Sequence, residues 1–136
     1  MKINPSFTDT RGEILDIFVN SPKDHCALIT SKKGAVRGNH FHKQSTQFTF
    51  ILDGKFKLYR AKVDENGKVL GEIKCDIIEK NELITHPAYE AHTLEAISDN
   101  TSILAFACGK RGGSYYEDDT FRLETKLNAQ GLIYLV

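Results

Sequence analysis

The sequence predicts an all-β domain, a jelly roll or closely related double-sheet barrel. Three observations carry that expectation: short apolar runs rich in β-branched and aromatic residues, turn dipeptides between them, and almost no helical periodicity. Strands are expected at 14–19, 26–30, 46–52, 56–63, 69–78, 93–97 and 102–107, each suiting a half-buried pleated surface. Asp53-Gly54, Asn66-Gly67 and Asp99-Asn100 tolerate the positive φ values of tight hairpins. The first of these is expected to join Phe48, Phe50 and Leu52 to Phe56 and Leu58 on one core face. One short helix is expected over 119–127, capped by Asp119 or Thr120, and the apolar tail 132–136 reads as a strand pairing with the body or a second subunit.

Composition narrows the function classes. A chain of 136 residues, 40% hydrophobic and 26% charged, reads as one domain over 1–136. A chain of that size buries roughly two thirds of its unfolded surface. Eighteen basic residues balance eighteen acidic ones, which argues against gripping a nucleic-acid backbone or an anionic membrane. Cys26, Cys75 and Cys108 match neither a disulfide framework nor a zinc knuckle, so a reducing cytoplasm is expected. The first eleven residues have no apolar signal core, and no run is long enough to span a bilayer as a helix.

The histidines are the informative residues. His40 and His42 are two apart, a spacing that on a strand sends both rings to one face and Phe41 to the other. Gln47 adds an amide oxygen, and His92 opens a later strand after Pro87, so three imidazoles and one oxygen could converge inside a barrel. Imidazole suits Zn, Fe, Ni or Cu, while an amide in place of a carboxylate weakens the hold on a divalent cation. Gly34, His40, His42, Gln47 and Gly54 follow the first cupin motif in their spacing, with Gln47 where that family usually carries Glu, and Pro87 with His92 resembles the second. The resemblance implies the cupin jelly roll, a double-stranded β-helix of the RmlC-like kind.

The flanks resemble a narrower group. Arg37-Gly38-Asn39-His40-Phe41-His42 looks like the signature of sugar-nucleotide cupins, and Asp9-Thr10-Arg11-Gly12 resembles their N-terminal opening. The late Asp119-Thr120-Phe121 is similar to the C-terminal cupin of capsular-polysaccharide assembling reductases. That resemblance implies zinc-dependent epimerisation of a nucleotide-linked 4-keto sugar. Gln47 instead resembles the 3,4-ketoisomerases of dTDP-4-keto-6-deoxyglucose, which implies metal-free catalysis by the histidine pair. One divalent ion on His40, His42, Gln47 and His92, zinc first and iron or nickel after it, therefore stands beside a metal-free site.

Either reaction abstracts a proton next to a ketone, and neutral histidine is a suitable base at His40 or His42. Arg37 could stabilise the enediolate oxygen and hold substrate, and Tyr89 could donate a phenolic proton. With a metal on the three histidines, the base must come from Tyr89, Glu90, His86 or Glu95, although His86 otherwise reads as a loop residue. Lys110, Arg111 and Tyr116 lie in a Gly-rich loop that could take a diphosphate and stack a nucleobase. The expected function is thus a sugar-nucleotide isomerase or epimerase of cell-surface polysaccharide synthesis. Its expected partners are a nucleotide-sugar substrate and a second copy of the chain, with neither nucleic acid nor membrane. A metal-dependent cupin oxygenase and a non-catalytic sugar- or effector-binding cupin are the alternatives.

Overall fold

The computed structural model describes residues 1–109, 118–124, 126 and 127. Among them are eleven strands and no helix: β1 (Phe7–Asp9), β2 (Gly12–Ile14), β3 (His25–Ser31), β4 (Val36–Phe41), β5 (Gln47–Asp53), β6 (Lys55–Val63), β7 (Val69–Glu79), β8 (Leu83–His86), β9 (Glu90–Ala96), β10 (Thr101–Ala107) and β11 (Phe121–Arg122). All pair antiparallel. A four-stranded sheet runs β3-β10-β5-β8, a five-stranded sheet runs β11-β4-β9-β6-β7, and β1-β2 form a separate hairpin. From β3 onward the chain changes sheet at every step except the β6–β7 hairpin. That alternation winds the chain as a double-stranded β-helix, the cupin jelly roll.

Two corrections follow from the alternation. Asp53-Gly54 and Asp99-Asn100 are corners between sheets, since β5 and β6, like β9 and β10, lie in different sheets; only Asn66-Gly67 closes a hairpin, with Val63 opposite Val69. Phe48, Phe50 and Leu52 are accordingly not the face that meets Phe56 and Leu58. Ile51 does that, in a cluster with Ile78, Ile84, Leu94, Ala96 and Ile103 between the sheets. Phe48 turns outward against Phe18, ring centroids 5.1 Å apart. Each fully buried Leu, Ile or Phe contributes about 1.5–3 kcal/mol, so this plug anchors the interior of the barrel.

The expected strand over 14–19 ends at Ile14, because Phe18 folds over Phe48 and Phe106 rather than alternating along a ladder. The expected helix over 119–127 is replaced by β11 and an extended strap. Phe121 pairs with Phe41 and Arg122 with His40, and Leu127 joins a second apolar cluster with Phe41, Tyr59, Ala61, Val63, Ile73 and Ala91. Asp119 spends its carboxylate on another loop, as described below, and so caps nothing. The expected strand 132–136 lies outside the described residues. No helix among the described residues is long and apolar enough to cross a membrane.

Candidate active site

Strand pleat and one irregularity bring the histidines together. β4 pairs with β9, but a bulge between Gly38 and His40 shifts the register so that His40 stands opposite His92. Asn39, the extra residue, has φ 60° and Gly38 has φ 84°. A Cβ on Gly38 would lie 2.8 Å from the main-chain oxygen of His92, so the close approach of the two strands requires glycine there. His42 follows on the same side.

His40, His42 and His92 are all buried, and their ligand atoms lie within 4.8 Å of one another. A fourth ring, His86 at the end of β8, stacks on His92 with centroids 4.0 Å apart, and its Nε2 is 2.9 Å from Thr49 Oγ1. The sequence reading placed His86 in a loop. The available signal was the short apolar and β-branched run Leu83-Ile84-Thr85 leading into His86, a strand stopped by Pro87. Burial, the neighbouring imidazoles and the charge of Arg60 hold His86 well below the ordinary histidine value, so it is neutral at pH 7.

His42 Nδ1 lies 2.7 Å from the main-chain oxygen of Asp119. The Asp119 carboxylate meanwhile accepts the backbone N–H groups of Lys43, Gln44 and Ser45 at 2.9, 3.0 and 2.8 Å and the Ser45 hydroxyl at 3.0 Å. Burial pushes this carboxyl up, but the donors from Ser45, Lys43 and Gln44 together outweigh it and hold it below the ordinary value. Gln47 begins β5 on the face shared by Thr49 and Ile51, opposite His86 and Ala107 in register. Three buried imidazoles beside a neutral amide fit a divalent ion of the zinc, iron or nickel kind.

Other expected residues lie elsewhere. Arg37, near the other end of β4, is exposed; its Nη2 donates to Thr30 O at 2.8 Å and its Nε to Ser31 Oγ at 3.2 Å. It lines an open cleft of about 1110 Å³ with Lys32, Lys33 and Asp99, to which no histidine contributes. Tyr89 sits beside Phe41, on the face of β4 opposite the histidines, with its hydroxyl 3.4 Å from Glu65. Partial desolvation and the Glu65 carboxylate hold its phenol above the ordinary value. Glu95 alternates outward with Thr93, whereas Glu90 shares the inward face of His92 and joins Arg60, Lys62 and Lys74 around a cavity of about 280 Å³. Arg11 binds Asp9 in the exposed β1–β2 turn. Lys110, Arg111 and Tyr116 lie outside the described residues.

Sequence comparison decides the family. Residues 7–121 match the polysaccharide biosynthesis C-terminal domain. The chain belongs to that family. No curated protein matches it in sequence. Among solved structures, this family member is similar to the 3,4-ketoisomerase QdtA of Thermoanaerobacterium thermosaccharolyticum, a double mutant bound to TDP. That match has a TM-score of 0.70 and 20% identity over 89% of this chain and 83% of that one. It is also similar to the capsular polysaccharide assembling protein CapF of Staphylococcus aureus (TM-score 0.63, 19% identity, 90% of this chain), of which it spans 34%. A third is the dTDP-4-dehydrorhamnose 3,5-epimerase of Sulfolobus tokodaii, with a TM-score of 0.65 and 20% identity over 79% of this chain and 68% of that one. At these identities the likeness establishes the RmlC-like cupin fold.

Proposed function

We propose that the chain is an isomerase or epimerase of a nucleotide-linked 4-keto sugar, serving polysaccharide synthesis. The observation that supports it most is the buried group of four imidazoles at one end of the barrel, beyond the apolar cluster around Ile51. Proton removal next to a ketone needs a neutral base shielded from water, and a carbonyl acceptor fixes His42 with its proton on Nδ1 and its lone pair on Nε2. In this reading Nε2 of His42 takes the proton from the carbon beside the ketone and the C–H electron pair moves onto the carbonyl oxygen. The enediolate then takes the proton back from His42 on the neighbouring carbon, its hydroxyl proton passing to the former carbonyl oxygen, or takes a proton from a second donor on the opposite face, His42 releasing its own to solvent.

His40, His42 and His92 would hold a divalent ion, which when bound polarises the substrate carbonyl. His42 Nε2 is then engaged, and the inward-facing groups left to move the proton are His86 and Glu90. The related structures solved with TDP or a dTDP-keto sugar support a nucleotide-sugar substrate for this chain too. With this reading goes a cytoplasmic homodimer paired along β3, an edge strand of the four-stranded sheet among the described residues, where Leu28 stays 63% exposed.

The test is solvent deuterium incorporation into a panel of dTDP- and UDP-4-keto-6-deoxy sugars, with and without chelator. Label is expected at the carbon next to the ketone, and His42→Asn is expected to slow its uptake about a hundredfold to ten-thousandfold. Absence of label from every sugar, with metal restored, rejects the isomerase reading.

A further inference from the structure

We infer that Asp119 is a positioning residue that fixes the tautomer of His42. The proposal rests on the histidine cluster being the reactive centre, and it concerns a residue outside that cluster, 77 positions along the chain from the ring it controls.

Asp119 grips one short stretch, residues 42–45, at two points. Its carboxylate gathers the backbone N–H groups of Lys43, Gln44 and Ser45 and the Ser45 hydroxyl, which fixes the turn that follows His42. Its own main-chain oxygen meets His42 Nδ1 at 2.7 Å. A carbonyl oxygen can only accept, so the proton must sit on Nδ1. A staple needed only to close the turn would be complete with the carboxylate bonds alone. The second contact adds a chemical instruction, because a ring protonated at Nδ1 presents Nε2 as a lone pair. Proton abstraction and metal ligation both require that lone pair.

The clamp holds because the strap around it is tied down. Beyond Asp119, Phe121 and Arg122 pair with Phe41 and His40. Leu123 N donates to Asn39 O at 3.0 Å, and Leu127 N to Asn39 Oδ1 at 3.0 Å. The Lys43 ammonium lies 4.2 Å over the Phe121 ring. The carbonyl of Asp119 is therefore held at a fixed place against a ring that is 0% exposed.

The experiment reads the tautomer directly. Protein labelled with ¹⁵N in histidine and treated with chelator is examined by two-bond ¹H–¹⁵N correlation at a pH where the ring is neutral. In the parent protein His42 is expected as the Nδ1–H tautomer. Asp119→Ala frees the turn, and His42 is expected to shift toward a mixture, with kcat for isomerisation falling about 10–100-fold and KM little changed. Asp119→Asn keeps the shape but turns one acceptor oxygen into an NH₂ group facing backbone N–H donors, so it is expected to shift the same way by less. It serves as the test if the alanine variant does not fold. A His42 that keeps a pure Nδ1–H pattern in the folded variants overturns the proposal. The tautomer is visible whether or not any sugar is turned over, so a failure here is separable from a failure of the isomerase reading.

Discussion

At the scale of single residues, the site combines neutral groups where a metal cupin usually carries an anion. Gln47 starts β5 on the inward face, directly opposite His86 in register, and offers a dipole where a glutamate would offer a full charge. Gln47→Glu is nearly isosteric, so it changes charge without changing packing. A carboxylate beside three imidazoles attracts a divalent ion, and zinc affinity is expected to rise at least about tenfold, equal to about 1.4 kcal/mol. Competition with a chromogenic chelator measures it, and an unchanged affinity would mean that the side chain points away from the triad. The convergence of His40 and His42 was legible because period-two spacing is local, and His92 through its resemblance to the second cupin motif. The contacts of Asp119 were not: the sequence offered it as a helix cap and as part of the Asp119-Thr120-Phe121 resemblance, and its partners at 43–45 are brought to it only by the tertiary fold.

At the scale of elements, the strands were legible and their pairing was not. Apolar alternation marked the strands near β3, β5, β6, β7, β9 and β10, yet an Asp-Gly dipeptide permits a reversal of direction equally within a sheet or between two. The face of β5 was misread for the same reason. Three large apolar residues, Phe48, Phe50 and Leu52, outweigh Gln47, Thr49 and Ile51 by eye, but the polar pair is on the face that meets His86. The bulge in β4 is the element that makes the site, and it yields a differential prediction. Gly38→Ala sets a side chain at φ 84° and drives its Cβ to 2.8 Å from the His92 carbonyl oxygen, whereas Gly34→Ala, at φ 88°, meets nothing within 4 Å. Both incur the left-handed strain of about 1–2 kcal/mol, and only Gly38→Ala must also part β4 from β9. Urea unfolding is expected to rank Gly38→Ala well below Gly34→Ala in stability. Equal midpoints would mean that the bulge relaxes freely and does not set the His40–His92 approach.

At the scale of the whole molecule, the barrel has an apolar plug and a cluster of imidazoles, so its stability must depend on pH through the latter. His86 is neutral in the folded chain, below its ordinary value of 6.5, because burial disfavours its charge, and His92, His42, His40 and Arg60 oppose it further. The unfolded chain takes a proton on this ring as pH falls through 6.5, and the folded chain does not. The unfolded state therefore binds more protons and stability must fall with falling pH, being complete above the unfolded value and lost from there toward the depressed folded one. Asp119 acts with the same sign in a lower window: its lowered carboxyl stabilises the fold above the ordinary 3.8 and ceases to do so as pH drops through the folded value. In chelator-treated protein, Tm is expected to decline as pH falls below 6.5, and to decline further as it falls below the ordinary carboxyl value of 3.8. His86→Gln keeps a polar group for Thr49 but cannot titrate, so the upper decline should flatten while the lower one stays. A variant with an unflattened upper decline would show that His86 takes its proton in the folded barrel as readily as in the open chain. The burial that keeps this ring uncharged would then be absent.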